Sequence, residues 1–283
     1  MVWRRIRQRG TMTLLDHELI YLYCVTGETP DLREITSLGN LYWIAHRDLC
    51  AVVSNVGELE FNEKVIHQNV DDMEWLKQKV LLHEKVIERV MQQQAVVPFK
   101  FATIFRHQDN LTTRLEQNYD SLQKTLLNLK GREEWGVKVY CDRRKLQAAL
   151  VDEDDPVISL DQEIAAATPD KAFFLKKQRE ELVRAEAERK LMEYSRDCFE
   201  RLSESSLKAR LNTCLPGEVT PQKEEMILNA AFLIEPLKHS VLKGAIYKLK
   251  ADYEDKGLRC DCTGPWPPYN FCQFSNQSLV HAS

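Results

Sequence analysis

The sequence predicts an α+β fold in two domains, the C-terminal one ferredoxin-like with a long helical insertion. Two rounds of β-rich and helix-periodic segments predict the two domains, Gly131 marks the division, and the order β-α-β-β-α-β after it predicts the ferredoxin-like unit. The expected boundaries are a leader over 1–13, an N-terminal α+β domain over 14–131, and a C-terminal domain over 132–283 with extended helices around 170–206. Met12 opens a more ordinary start than Met1, and residues 1–11 read as a disordered leader or a misassigned start.

In the first round, Glu18–Val25 is rich in aromatic and β-branched residues and stops at Thr26-Gly27. Leu41–Ala45 and Cys50–Ser54 follow as strands, and the short Arg47-Asp48 break between them predicts a hairpin. Leu76, Val80, Ile87, Val90 and Met91 then fall at helical spacing behind Asp71 and Asp72, whose charges suit a helix N-terminus, and this helix is expected to reach about Gln94. Ala95–Phe105 returns to β character. Asp109 or Asn110 can cap a further helix with Leu111, Leu115, Tyr119, Leu122, Leu126 and Leu129 on one stripe and Gly131 as its stop.

In the second round, Glu134–Cys141 alternates apolar and polar residues as a half-exposed strand does. Asp152–Asp155, just before Pro156, has the composition of a solvated linker, and helical signal resumes near Asp170 and runs through Glu204. Within that run Glu180 with Arg184, Arg184 with Glu188, and Glu186 with Lys190 stand four apart, each pair adding about a few tenths of a kcal/mol. Its apolar residues are too sparse for a heptad seam, so the helix is expected to protrude and pack along part of its length. Leu207–Leu215 reads as strand, Pro216-Gly217 as a turn, Met226–Ile234 as strand ended by Pro236, Leu237–Tyr253 as helix, and Leu258–Thr263 as the last strand.

Composition narrows the function classes. The 283 residues are 43% hydrophobic and 29% charged, enough to bury a core, and 39 Lys+Arg against 43 Asp+Glu give a formal net charge of −4. That balance supplies no field to gather nucleic acid or an anionic membrane. No apolar run approaches the roughly 20 residues a bilayer span needs, and Met1–Arg9 has the charges of a signal peptide without its apolar core, so a cytoplasmic protein is expected. Eight cysteines are spread along the chain and read as reduced thiols. Cys260 and Cys262 form the one close pair, sharing a strand face, which falls short of a metal site. There is no Gly-rich phosphate loop, no Gly-x-Ser-x-Gly and no His-Glu-x-x-His.

The segment Gly264-Pro265-Trp266-Pro267-Pro268-Tyr269-Asn270-Phe271 allows few backbone conformations, because three prolines fix φ and restrict the residues before them. A stiff rod carrying aromatics serves packing or binding; as packing it is a clamp laid across its own domain, its aromatics filling a groove, and as binding it is a partner contact. Val97–Phe105 reads first as an apolar strand with Pro98 near its start. His83, in line with Leu76, Val80, Ile87 and Val90, reads as a core residue with one hydrogen bond.

Val97-Pro98-Phe99-Lys100-Phe101-Ala102-Thr103-Ile104-Phe105 and Thr263-Gly264-Pro265-Trp266-Pro267-Pro268-Tyr269-Asn270-Phe271 resemble the two signature segments of the gas vesicle protein GvpL/GvpF family. Tyr21-Leu22-Tyr23, His83, Glu134-Trp135-Gly136-Val137-Lys138 and Ala230-Ala231-Phe232-Leu233 extend the resemblance over about Leu19 to Phe271. Where the family commonly has Phe-Gly-Thr, this chain has Phe101-Ala102-Thr103, so a position where glycine permits positive φ carries a Cβ. The resemblance implies a non-enzymatic minor structural component or assembly factor of gas vesicles, without cofactor or metal. It implies contact with the apolar major shell protein GvpA, and with other gas vesicle accessory proteins, to aid nucleation or prevent aggregation. It places the chain at the gas vesicle with a cytoplasmic pool, and without nucleic-acid or membrane partners. The residues expected to serve as structural or partner contacts are Pro98, Phe99, Phe101, Thr103, Pro265, Trp266, Pro267, Pro268, Tyr269 and Phe271. The alternative reading is a small-molecule-binding or catalytic ferredoxin-like domain protein.

Overall fold

The computed structural model describes residues 18–61, 73–153, 155–214 and 224–272. They form two compact units that divide between Lys130 and Gly131, with Cys272 counted in the first.

In the first unit, β1 (Glu18–Thr26), β2 (Leu41–His46), β3 (Leu49–Gly57), β4 (Val96–Pro98) and β5 (Ile104–Phe105) make one antiparallel sheet in the order β2-β3-β1-β4, with β5 also on β1. The apolar run of β1 explains its central place, since every residue from Tyr21 to Thr26 is buried. Arg47-Asp48 turns β2 into β3 as the sequence predicts, with Arg47 at φ 54°. After a short α1 (Glu58–Phe61), α2 (Met73–Met91) lays His83, Val86, Ile87 and Val90 on the sheet. It ends at Met91 rather than Gln94, and Asp71 and Asp72 lie outside the described residues.

Three expectations for this unit are corrected. The helix after β5 is two helices, α3 (Gln108–Gln117) and α4 (Tyr119–Leu129), because Asn118 leaves helical geometry at φ −116°, ψ 12° while its side-chain amide donates to Arg114 O at 2.8 Å. That local bond competes with the backbone ladder. Neither Asp109 nor Asn110 caps α3; His107 holds that place, and Asp109 lies in the first turn, where its charge suits the dipole. Gly131, at φ 66°, follows the end of α4 as predicted. The Ala95–Phe105 run is also not one strand, since residues 99–103 turn the chain between β4 and β5.

In the second unit, β6 (Glu133–Cys141), β7 (Lys208–Leu211), β8 (Glu225–Ile234) and β9 (Leu258–Trp266) form an antiparallel sheet ordered β7-β8-β6-β9. Helices α5 (Arg143–Glu153), α6 (Asp155–Ala166) and α7 (Pro169–Glu204) connect β6 to β7, and α8 (His239–Tyr253) connects β8 to β9. Val137, Val139 and Cys141 of β6, Leu228, Ala230, Phe232 and Ile234 of β8, and Leu258 and Cys260 of β9 meet Leu191, Cys198 and Leu202 of α7 and Leu242, Ile246 and Leu249 of α8 in one core. β6 is far more buried than its alternation suggests, with Lys138 its single exposed residue. β7 is shorter than predicted, Leu215 and the Pro216-Gly217 turn lie outside the described residues, and β9 runs past Thr263 to Trp266. Leu237 belongs to a 3-10 turn at Pro236–Lys238 that precedes α8.

Where a solvated linker was expected, helices run up to both sides of Asp154, which lies outside the described residues. Leu146 and Leu150 before it, and Val157 and Leu160 after it, are buried, and the first two join the main core. Their spacings of four and three put each pair on one helical face, so α5 and α6 fold onto the unit despite the acids between them. Arg143 ties this region down by pairing with Glu188 of α7 at 2.5 Å and with Glu225 of β8. That pairing also replaces the predicted Arg184–Glu188 contact, and Glu186 bonds Arg189 instead of Lys190. Along α7, Val183, Ala187, Leu191, Tyr194, Cys198 and Leu202 are buried at spacings of four and three, a continuous stripe toward the core. Among the described residues no helix is long and apolar enough to cross a membrane.

Because α5 is packed on the core, Leu146→Ala, at a residue 1% exposed, lowers the stability of the chain by about 2–5 kcal/mol in denaturant unfolding.

Candidate functional site

The family-resembling segments meet in two clusters, one in each unit. In the first, Pro98 pairs with Cys24 of β1, Phe99 N–H donates to Tyr23 O at 2.9 Å, and Leu22 N–H donates to Thr103 O at 2.9 Å, so the turn at 99–103 is stitched to the middle of β1. Thr103 closes the turn on itself, its hydroxyl donating to Lys100 O at 2.7 Å. Under the turn lies His83, 1% exposed, whose Nε2–H donates to Phe99 O at 3.0 Å while Nδ1 accepts from the Tyr21 hydroxyl at 2.9 Å. The Tyr21 oxygen in turn accepts the Ala102 N–H at 3.0 Å. Burial holds the imidazole neutral, its pKa pushed down to about 4, and pushes the Tyr21 phenol well above its ordinary value. His83 stacks on Tyr23 at 5.6 Å and meets Phe101 edge-on at 5.9 Å. The sequence reading of His83 as a core residue holds, with two hydrogen bonds where one was expected.

Ala102 takes φ 61°, the left-handed conformation, although it carries a Cβ. The Ala102 N–H bond to Tyr21 and the Thr103 bonds to Lys100 fix the turn, and the alanine bears about 1–2 kcal/mol of steric cost that glycine would not.

The second cluster gathers the remaining segments on β6. Across the sheet, Glu134 pairs with Leu233 and Trp266, and Gly136 with Ala231 and Thr263, so three separated segments lie side by side. Gly264 is at φ 140°, and a Cβ there would stand 2.9 Å from Glu134 O and 3.1 Å from the Trp135 ring. The Gly264-Pro265 bond is cis. Beyond it, Asn270 donates both its backbone N–H, at 3.1 Å, and its side-chain amide, at 2.6 Å, to the Glu134 carboxylate. Glu134 is 4% exposed, and burial raises its pKa to about 7 against the two Asn270 bonds and the Arg210 charge, which pull it down. On the opposite side of β6, Trp135 stacks on His239 at 4.2 Å.

The rod, expected as a clamp with its aromatics in a groove or as a partner contact, divides between inward and outward residues. Pro267 and Pro268 are buried, Tyr269 and Phe271 are half-buried, Pro265 is exposed, and Trp266 is 44% exposed with its indole N–H on Thr263 Oγ1 at 3.0 Å. Pro267, Pro268 and Asn270 thus lie against the sheet, and Pro265 and Trp266 face solvent. In the first cluster Pro98, Phe99 and Thr103 are buried and Phe101 is half-buried. The Glu134–Asn270 clasp was missed from sequence; its one signal is a carboxylate inside an otherwise apolar strand. Both clusters hold backbone in place by satisfying buried polar groups, and burial favours the neutral forms of Tyr21, Tyr23, His83 and Glu134. Cys260 lies in the core, its thiol pushed up to about 11 by burial, with Cys262 packed beside it. Among the described residues no group of three or more His, Cys, Asp or Glu is placed to hold a metal ion.

Ala102→Gly should raise stability by about 1 kcal/mol, and Gly264→Ala should lower it by about 1–3 kcal/mol, both read by denaturant unfolding. Glu134 sets a pH signature. Its folded pKa of about 7 exceeds its ordinary 4.5, so the folded state binds more protons between those values and this contribution to stability falls as pH rises through them. His83, lowered from 6.5 to about 4, acts in the opposite sense below pH 6.5. The difference between wild type and Glu134→Gln therefore isolates the effect: the variant gains relative stability as pH rises from 4.5 to about 7, and parallel curves would refute the buried carboxylate.

The family model described as "Gas vesicle synthesis protein GvpL/GvpF" matches residues 19–273. Gas vesicle protein L of a Streptomyces species is 27% identical over 239 residues, covering 83% of this chain and 84% of that protein. Gas vesicle protein L of Haloferax mediterranei is 29% identical over 212 residues, covering 72% of this chain and 64% of that protein. The crystal structure of the gas vesicle protein GvpF from an Anabaena species superposes with a TM-score of 0.70 at 19% identity, covering 92% of this chain and all of that one, which establishes the likeness of fold. With the match running through both units and both signature clusters, the chain belongs to the gas vesicle GvpL/GvpF family.

Proposed function

We propose that this chain is a minor structural component or assembly factor of gas vesicles that binds the shell protein GvpA and aids nucleation or prevents its aggregation. The observation that carries the reading is the family match over residues 19–273, which spans both units. The chain acts at the gas vesicle, and its partners are other gas vesicle components. A subunit that self-assembles into a wall presents apolar or strand-edge surface beforehand, and a soluble partner can cover such surface. The reading assigns the chain no reaction. The two units are read as two domains, over 14–131 and 132–283, the second ferredoxin-like; the β7-β8-β6-β9 order and the single helix between β8 and β9 support this.

Of the residues first singled out, Pro98, Phe99, Thr103, Pro267 and Pro268 are buried and are assigned to structure. Trp266 presents the most aromatic surface among them and is assigned to contact. Capture of purified GvpA by the intact chain tests the reading; no enrichment, where a known shell partner retains it, sinks it. Trp266→Ala should reduce capture with little change in unfolding midpoint, whereas Asn270→Ala, which strips the donors from buried Glu134, should cost about 1–3 kcal/mol of stability. A Trp266→Ala loss of stability in proportion to capture would return the tryptophan to a structural role.

A further inference from the structure

The outward side of α8 is apolar without being covered. Val241 is 52% and Tyr247 75% exposed, and Leu237 in the preceding 3-10 turn is 92% exposed. Gly244 and Ala251, also exposed, continue the same side at spacings of three and four, while Leu242, Ile246 and Leu249 on the opposite side enter the core. The fold already accounts for that inner stripe, and the outer one adds nothing to it.

Gly244 is the informative residue. A Cβ placed there would meet nothing within 4 Å, so neither a close approach within this chain nor a positive φ requires glycine. Mid-helix glycine is nevertheless costly relative to alanine. It leaves a notch in the centre of the exposed stripe, a place where another helix can approach the backbone closely.

Charge says what fits. Lys238, Lys243, Lys248 and Lys250 are exposed along and beside the stripe, and residues 236–251 contain no carboxylate, in a chain whose net charge is −4. None of the four lysines forms an ion pair with a described residue, whereas Asp252, just beyond, is held by Arg201 at 2.7 Å. A second copy docked through the same face would oppose lysines to lysines. Anionic lipid would satisfy the charges, but a fluid surface makes no use of a notch.

We propose that this face of α8 docks a helix of a partner protein whose apolar stripe is bordered by carboxylates, its side chains seated over Gly244. The partner class deepens the proposed function and rests on it; the surface itself can be tested without any shell protein. A labelled synthetic helix with a Leu/Ala stripe and Glu borders is titrated with the full chain by fluorescence anisotropy, beside a matched helix with Lys borders and vesicles containing anionic phospholipid. The Glu-bordered helix should bind at least about tenfold more tightly than the Lys-bordered one, with affinity falling as salt rises. Val241→Lys and Gly244→Leu, both at exposed positions, should weaken that binding by about tenfold or more, while Gly244→Ala should raise the unfolding temperature.

Equal binding of the two helices, or binding unchanged in Val241→Lys and Gly244→Leu, overturns the proposal. So does binding to the vesicles alone, which assigns the face to lipid, or a dimer in sedimentation that Val241→Lys abolishes, which assigns it to a second copy. Equal capture of GvpA by wild type and Val241→Lys would remove α8 as the shell contact and leave the shell-binding reading standing.

Discussion

A strand hydrogen-bonded along both edges leaves the buried polar groups on it little access to water, and β1 and β6 are inner strands of this kind in the two sheets. Each nevertheless carries polar side chains into that position, Tyr21 and Tyr23 on β1 and Glu134 on β6. Every such group must find its partner inside the protein. For Tyr21 the partners are His83 and the Ala102 N–H, for Tyr23 the Ser54 hydroxyl, and for Glu134 both donors of Asn270. Two of these partners, Ala102 and Asn270, come from the two signature segments, and His83 and Ser54 come from α2 and β3.

This explains which parts of the fold were legible in the sequence. β1, β2 and β8 were read nearly to their ends because continuous apolar runs bounded by turn residues have few other uses. The Arg47-Asp48 hairpin and the Gly131 stop were legible for the same local reason. The break at 99–103 was not, since Phe99 and Phe101 look the same in a strand as in a turn whose backbone is bonded to β1. The acidic stretch misled because composition was averaged across Asp152–Asp155, whereas Leu146, Leu150, Val157 and Leu160 act at fixed helical spacings. Partner choice on α7 was invisible too: Arg143 lies 45 residues from Glu188, and only the fold brings it nearer than Arg184.

The residues that identify the family are, for the most part, those that complete the two units. They are buried, they pair with one another across strands, and their chemistry is spent on hydrogen bonds within the chain. Recognition surfaces have to be sought where the fold leaves apolar groups without a use of its own, as at Trp266 and on the outer side of α8. Motif identity and exposed apolar surface therefore overlap only in part here, at Trp266, and a variant scan restricted to the buried motif residues would report mainly on folding.

Glu134 and Asn270 stand 136 residues apart along the chain, and β9 reaches β6 only after three helices, two strands and α8 have intervened. During synthesis β6 therefore emerges with both edges and its carboxylate unmatched, and it waits for translation to pass Asn270 before the sheet can close. The second unit cannot mature progressively behind the ribosome as a helical hairpin can. Its nascent form presents an open strand edge for most of its own synthesis, so the timing of its completion, and any protection it needs meanwhile, is set by the last segment made.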